Sequence, residues 1–376
     1  MTGAVSYRLG SRLLLWGNAF VPFTGNNSVN RSTGLPAKTV AFNSGIRYLV
    51  NPRLGLDVFA TNTFGTLGPL ALTADREELG LGVGLVAMPD FAPGNRNYPN
   101  NFREQSNQPD TQFTTDGLGF FDGGTVPDGK VLIHFQGGSQ GVLTALRFGL
   151  IKDLEILAYL DYISGTVDES EQGFGVKLRL LNQAEGLPFT ASAAVTFGLT
   201  NQTFVNFFNN NRDEFSNQGL NKGVPFLLAG EEGEVGKLFV ATLSFPVQYQ
   251  LNDQIAFWFT PIAGFAQRKG LEIGGFSLGG SVEVIQDVSV LAEIGANFLG
   301  EGNAFIGNRL ADRIPWAFAV RWDASRLFGV NPDSVSGFHP NLELFITNRV
   351  GSSPWHQLRV RDQDDIAVGA GLSLSF

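Results

Sequence analysis

Hydrophobic residues alternate with small or polar residues along most of this chain. In the last stretch, 366–376, the face opposite the glycines and serines consists of Ile366, Val368, Ala370, Leu372, Leu374 and Phe376. A tilted β-strand needs about 9–11 residues to cross the hydrocarbon layer of a bilayer. A two-residue period over that length predicts a membrane-spanning strand with one face toward lipid.

The same period recurs often enough to predict about 16 strands. Their ranges are 12–22, 41–50, 54–64, 78–88, 130–138, 141–151, 154–165, 172–182, 188–200, 237–251, 254–267, 272–285, 288–300, 314–324, 341–350 and 366–376. Residues 3–9 fit a further strand, which would make the count odd. Since bacterial single-chain barrels have an even number of strands, the prediction is all-β: a transmembrane antiparallel up-and-down β-barrel of about 16 strands, or alternatively 14 or 18. We expect 1–376 to form this single domain.

The connections between the predicted strands are of two kinds. The short ones carry Asn or Asp, which supply the backbone angles of a hairpin turn; they are Asn51-Pro52-Arg53, Lys152-Asp153, Asn252-Asp253 and Gln286-Asp287. The long, polar ones are 201–235, 301–313 and 351–365. Because hairpins alternate between the two ends of a barrel, the short turns share one end. That end is periplasmic if the usual asymmetry of such barrels holds.

Two segments are unusual. Residues 89–129 are rich in Asn, Pro, Asp and Gly. Counting the alternating ends of the predicted strands places this connection at the periplasmic end, and a connection of that length usually has a role beyond joining two strands. We predict that 89–129 plugs or caps the lumen, or forms a periplasmic-side insert. The long extracellular loop 201–235 mixes aromatic and amide side chains, and we predict that it folds back over the outer mouth.

Composition narrows the class further. Hydrophobic residues make up 43% of the chain and charged residues 16%, so the chain is not of a disordered type. No run approaches the ~18 apolar residues of a membrane helix. The net charge of -9 argues against a nucleic-acid partner. The absence of cysteine fits export through an oxidising compartment, although the opening residues show no signal-peptide pattern.

The C-terminal strand resembles the corresponding strand of outer-membrane β-barrel proteins from Gram-negative-type bacteria. In that class, an amphipathic strand ending in Phe is read by the barrel-assembly machinery. The resemblance implies that Leu372, Leu374 and Phe376 form the assembly signal, that the location is the outer membrane, and that the fold is porin-like. The Gly-rich hairpins within 141–165 and 172–200 show a weaker similarity to exopolysaccharide-associated barrels.

If the Phe-rich faces meet lipid, charged residues on the opposite faces line a pore. The predicted pore-lining residues are Arg47, Asp57, Arg147, Asp161, Lys177, Arg179, Glu283, Glu293, Arg321 and Glu343. Acidic and basic residues balance on this wall, which argues against strong charge selectivity. The alternative is that these charges pair with each other and fix the barrel's shape. Bulky apolar residues also face inward, either as filler or as a track for a hydrophobic solute; they are Leu143, Leu157, Tyr159, Trp258, Leu291 and Phe345.

Catalytic motifs are weak, and we predict that the protein is not an enzyme. The Gly-x-Ser-x-Gly pattern around Ser277 requires a strand that turns sharply into a helix, yet it lies inside a predicted continuous strand. The histidines, His134, His339 and His356, cannot be grouped by spacing into a metal site or a triad. We expect no cofactor and no metal.

Three functions remain open. The favoured one is a passive outer-membrane channel for small hydrophilic solutes with weak charge selectivity. The others are a non-conducting structural or polysaccharide-export-accessory barrel and a transporter of hydrophobic small molecules. The expected partners are outer-membrane lipid, the barrel-assembly machinery and small solutes, and a homo-oligomer is possible.

Overall fold

The computed structural model divides the chain into two compact units, Met1–Asn107 and Gln108–Phe376. The structure describes residues 2–9, 12–30, 32–51, 54–65, 68–87, 123–163, 170–201, 237–266, 272–306, 309–329 and 339–375. Predictions for 201–235, for most of 89–129 and for Phe376 therefore lie outside the described residues. Among the residues described, no helix is both long and apolar enough to cross a membrane.

The first unit contains a five-stranded antiparallel sheet and a small two-stranded one. In chain order its strands are β1 (Thr2–Leu9), β2 (Leu13–Phe20), β3 (Ser28–Val29), β4 (Pro36–Ala37), β5 (Ala41–Asn51), β6 (Leu54–Thr61) and β7 (Gly80–Ala87). The large sheet has the order β1-β2-β5-β6-β7. One face is exposed and aliphatic, with Val5, Leu15, Ile46, Val58 and Val83. Its two faces therefore differ in polarity, as the alternating pattern predicts.

The second unit is a closed antiparallel β-barrel. Its strands are β8 (Val131–Gly138), β9 (Gly141–Ile151), β10 (Leu154–Ile163), β11 (Glu171–Leu181), β12 (Thr190–Asn201), β13 (Lys237–Ser244), β14 (Val247–Gln250), β15 (Ile255–Ala266), β16 (Ile273–Ile285), β17 (Val288–Leu299), β18 (Ala304–Ile306), β19 (Arg309–Ala311), β20 (Trp316–Asp323), β21 (His339–Thr347) and β22 (Ala367–Ser375). The β18–β19 hairpin is a separate two-stranded sheet, and β13 and β14 pair with β12 and β15 rather than with each other. Every other strand pairs with the next one along the chain, with β17 pairing β20 across the hairpin, and β22 pairs with β8 to close the ring.

The ring formed by the described residues has 12 strands, with β14 as one extra strand. β13 and β14 share one position in the ring, because both lie between β12 and β15. Residues 245–246 separate them, and Pro246 lacks the N–H that a continuous ladder would need there.

The predicted count of 16 strands in one barrel is wrong. The first four predicted strands, together with 3–9, form the separate sheet of the first unit, and the remaining twelve close on themselves. An alternating pattern identifies strands and faces, but it does not specify which two edges meet. That both units belong to one domain stays a prediction.

The outer face of the barrel is apolar and its inner face is mixed. In β10, buried and exposed residues alternate from Glu155 to Ile163, and Ile156, Leu160 and Tyr162 are among the exposed ones. The same outward row continues around the ring through Phe174, Phe197, Phe257, Leu278, Ile294, Phe318 and Leu344. Leu372 and Leu374 lie on the outward face of β22, while their role in assembly stays a prediction.

Tight turns lie at one end of the barrel, which we term the turn end; the opposite end is the loop end. Asp153 and Asp287 adopt positive φ angles of 70° and 66° in their turns. Asn252 accepts hydrogen bonds from the backbone N–H groups of Gln254 and Ile255. These are the backbone conformations for which Asn and Asp are favoured, so the predicted hairpins form as expected.

Candidate functional site

The candidate site is the lumen of the twelve-stranded barrel. Most of the residues predicted to line a pore lie on its strands, but Arg47 and Asp57 lie in the first unit. Those two residues are cross-strand partners in the five-stranded sheet, and the Arg47 Nε to Asp57 Oδ1 distance is 2.7 Å. They do not belong to the ring of strands that surrounds the lumen. Whether the other residues line a conducting path stays a prediction.

Near the turn end, acidic and basic residues of the wall are paired. Arg147 Nε lies 2.7 Å from Glu155 Oε1. Arg179 Nη2 lies 2.6 Å from Asp153 Oδ1, and Lys177 is buried on the same strand as Arg179. Buried charge is costly unless it is paired and hydrogen-bonded, so these contacts hold neighbouring strands in a fixed register.

A second paired group lies across β20, β21 and β8. Arg321 and Glu343 are cross-strand partners, with 2.9 Å between Arg321 Nη2 and Glu343 Oε2. Gln136 Nε2 donates to Glu343 Oε1 over 3.2 Å. On the neighbouring positions, His134 Nδ1 lies 2.6 Å from Ser373 Oγ. This network spans the β22–β8 closure of the ring.

The connection between β21 and β22 folds into the barrel. Every residue from 348 to 360 is buried, and we term this segment the lumen loop. It contains a five-residue helix, α1 (Pro354–Leu358), which begins after Ser353 with the Ser353 side chain accepting a hydrogen bond from the His356 N–H. Ser at an N-cap followed by Pro is a typical helix start. The sequence predicts 351–365 as a long, polar connection, but its residues 351–360 are buried inside the barrel.

The lumen loop is attached to two acidic residues of the wall. Asp161 and Glu171 are cross-strand partners on β10 and β11. Asp161 accepts from Ser352 Oγ over 2.6 Å, and its Oδ2 lies 2.8 Å from His356 Nδ1. Glu171 accepts from Ser353 Oγ over 2.5 Å. These contacts join the loop to two neighbouring strands of the wall, so this acidic pair anchors the loop.

A third acidic residue holds the other side of the lumen loop. Arg349 Nη2 lies 2.5 Å from Glu293 Oε1, and both side chains are buried. The indole N–H of Trp258 donates to the second oxygen of Glu293. Glu283, by contrast, lies near the turn between β16 and β17 and accepts from the Asp287 N–H.

Apolar side chains complete the attachment of the lumen loop. Trp355 and Leu358 pack with Val240, Ile262 and Ile273 of the wall. On the opposite side, Val350 packs with Leu143 and Ile163. Burial of large side chains contributes about 1.5–3 kcal/mol each relative to exposure, so the loop is held by packing as well as by charge.

The described end of the predicted plug region also lies inside the barrel, near the turn end. The Gly123 carbonyl accepts from Ser192 Oγ over 2.5 Å, and the Val126 N–H donates to Glu155 Oε2 over 2.7 Å. Residues 123–126 are buried. The lumen thus contains a chain segment at each end, although a plugging role for 89–129 as a whole stays a prediction.

The bulky apolar residues predicted to face inward are buried as expected. Trp258, Leu291 and Phe345 form one cluster together with Ala317 and Ala319. They pack on one another and fill the wall, as the filler interpretation predicts. Ser277 lies within β16, buried and cross-strand from Thr260 and Gly295, so the sharp turn of a hydrolase nucleophile is not formed at this position.

Sequence reasoning missed the residues of the lumen loop that contact the wall. The signal was present: Trp355 and Leu358 are large apolar residues in a connection otherwise judged polar. Residues of this kind in a loop usually pack against something. His356 was noted, but its partners Asp161 and Glu171 are almost two hundred residues away in the chain and have no spacing signature.

No protein-family profile matches the chain, and no curated protein matches it. Several solved structures are similar at a distance. An outer membrane channel from Pseudomonas putida F1 has a TM-score of 0.39 at 11% identity, covering 69% of this chain and 100% of that one. The KdgM porin in complex with disordered oligogalacturonate has a TM-score of 0.34 at 6% identity, covering 66% of this chain and 98% of that one.

A third structure, Pseudomonas aeruginosa OccK11, has a TM-score of 0.28 at 10% identity, covering 99% of this chain and 79% of that one. Likeness this distant carries no argument about what the present chain does.

The class of the protein follows from the architecture of the barrel itself. An even-numbered, closed antiparallel ring with an apolar outer belt and a polar lumen is the architecture of bacterial outer-membrane barrels. On that ground the predicted class and the outer-membrane location are confirmed.

Proposed function

We propose that this protein is a passive outer-membrane channel for small hydrophilic solutes, and that the lumen loop sets its size limit. The main observation in support of this proposal is that residues 348–360 are buried inside a ring whose inner wall bears charged and hydroxyl side chains. A polar lumen narrowed by an inward loop admits solutes according to their size.

Weak charge selectivity is part of the proposal. On the described wall, acidic residues lie against basic ones in two places: Arg147 with Glu155, and Arg321 with Glu343. Arg349 lies against Glu293 in the same way. Selectivity by charge requires one sign to dominate along the path, and paired charges leave little net field.

A non-conducting structural barrel is the second candidate. The observation that favours it is the presence of buried chain at both ends of the lumen, residues 123–126 and the lumen loop. A sealed barrel would serve as a scaffold for a periplasmic or polysaccharide partner. Transport of hydrophobic molecules has less support, because the inward apolar residues pack on one another.

Liposome swelling separates the channel from the sealed barrel. We expect vesicles containing the full chain to swell in isotonic solutions of small sugars, at rates that fall as the sugar grows, because the lumen loop restricts the path. Protein-free vesicles and vesicles with the outward-facing variant Leu278→Ala serve as controls; the variant should match the unmodified chain. Swelling no faster than in protein-free vesicles, even for the smallest sugar, would exclude the channel in favour of the scaffold.

A further inference from the structure

The barrel wall is incomplete at the loop end between β17 and β20. β17 continues to Leu299, but its pairing with β20 ends at Ile294 and Trp316. One more backbone hydrogen bond follows, from the Gly295 N–H to the Pro315 carbonyl over 2.7 Å. Beyond it, the wall opens into a cavity of about 480 Å³. That volume is within the range of small-molecule sites.

One side of this cavity is apolar and adjoins the outer belt of the barrel. Ala296, Ile314 and Trp316 line it. Ile314 is 64% exposed, and Ile294, two residues before Ala296 on the same face, is 55% exposed. Trp at the end of a membrane-spanning strand is typical of the membrane interface. An acyl chain lying on the outer belt therefore reaches the cavity without leaving the apolar surface.

The other side of the cavity carries both signs of charge. Arg313 is partly exposed, with its Nε 3.9 Å from Asp364 Oδ2, and its Nη1 donates to the Asp312 carbonyl over 2.9 Å. The Asp312 carboxylate accepts from Asn297 Nδ2 over 3.2 Å, and Asp364 accepts from Asn348 Nδ2 over 2.8 Å. Each carboxylate is therefore held in place by one amide hydrogen bond to one of its two oxygens.

We propose that this cavity binds the headgroup of an amphiphile that carries both a phosphate and a primary amine, with its acyl chains on the apolar side. The planar guanidinium of Arg313 matches phosphate oxygens. The carboxylates of Asp312 and Asp364 match the N–H donors of an ammonium group. A headgroup with phosphate alone would leave two carboxylates facing an anion, which is unfavourable.

Short-chain phosphatidylethanolamine is the probe, added to the full chain in detergent and followed by isothermal titration and thermal unfolding. Phosphatidylcholine and phosphatidylglycerol of the same chain length are the comparisons. We expect phosphatidylethanolamine to bind roughly 10-fold more tightly than either and to raise Tm. Arg313→Gln and Asp364→Asn should each weaken its binding about 10-fold, since each removes a charge-assisted hydrogen bond.

The matched control is Arg326→Gln, which alters a partly exposed arginine paired with Asp287 at the turn end and should bind the probe like the unmodified chain. Equal affinity for the three headgroups would overturn the proposal, because it would show acyl-chain binding alone. Binding of phosphatidylglycerol that requires Ca²⁺ and is abolished by a chelator would also overturn it, in favour of a carboxylate–cation–phosphate bridge.

Discussion

Excising the inner part of the lumen loop is expected to raise the single-channel conductance by roughly two-fold or more, because the excision removes a buried chain segment from the lumen. The chain offers a clean excision. Arg349 and Val360 form an antiparallel bridge, and the Val350 N–H donates to the Arg359 carbonyl over 3.2 Å. An Asn-Gly turn can therefore join Val350 to Arg359 in place of 351–358.

The measurement is planar-bilayer recording of the excised and unmodified chains under the same salt. Asp365→Asn, at an exposed position of the same connection, is the control and should leave the conductance unchanged. Heat-dependent gel mobility checks that the excised chain still forms a barrel. A folded, excised barrel with the conductance of the unmodified chain would contradict the proposed role of the loop.

Glu293→Leu is expected to lower the free energy of unfolding by about 3–5 kcal/mol. Glu293 and Arg349 are buried partners, and the substitution leaves the Arg349 guanidinium without its carboxylate. It also removes the acceptor of the Trp258 indole N–H. Leaving a buried charge without its partner lowers the free energy of unfolding by more than the intact pair adds to it, which explains the expected size of the effect.

Denaturant unfolding in detergent micelles or vesicles, followed by tryptophan fluorescence, measures the change. The control is Glu185→Leu, whose partner Lys152 forms a half-exposed pair at 2.8 Å; exposed pairs contribute within about 1 kcal/mol. The double variant Glu293→Leu/Arg349→Met should recover part of the loss, because it also removes the guanidinium that has lost the Glu293 carboxylate. A loss below about 1 kcal/mol in Glu293→Leu would show that the pair is not buried as described.

The strands and their faces followed from the sequence because a two-residue period is a local property. The tight turns at Lys152-Asp153 and Gln286-Asp287 were predicted correctly for the same reason: Asp accepts the positive φ that a reversal needs. The inward burial of Trp258 and Glu293 followed from their place on the face opposite the Phe-rich rows.

Closure of the ring did not follow from the sequence. The pairing of β22 with β8 joins strands that are more than two hundred residues apart, and several pairs of strands have compatible alternation. Arg47 and Asp57 were therefore assigned to the pore wall, although the sheet that holds them is separate from the ring. Polarity alone could not distinguish the two sheets, since each has one apolar and one mixed face.

The lumen loop was also beyond the sequence pattern. Its attachment depends on His356 meeting Asp161 and on Val350 meeting Leu143, contacts between distant parts of the chain. Because this connection has neither strand nor helix periodicity, its sequence does not predict whether it points into the lumen or away from the barrel. Only the apolar residues within it indicated that it packs inward.

Cross-linking tests most directly whether the lumen loop lies inside the barrel. The chain has no cysteine, so any disulfide formed is the engineered one. Val350→Cys/Leu143→Cys joins residues that pack together, whereas the control pair Val350→Cys/Leu132→Cys does not. Gln136 on β8 is the strand partner of Leu143, and Leu132 lies four residues from Gln136 along the same strand. At ~3.3 Å per residue, Leu132 is about 13 Å from Gln136 and therefore far from Leu143.

Mild oxidation in micelles, followed by mass spectrometry of the bridged peptides, is the readout. A disulfide requires Cα atoms within roughly 7 Å of each other, so we expect a bridge between positions 350 and 143 and none between 350 and 132. If the first pair stayed reduced while a membrane-impermeant thiol reagent modified Cys at position 350 rapidly, the loop would lie outside the barrel. The lumen loop could then not set the size limit of the channel.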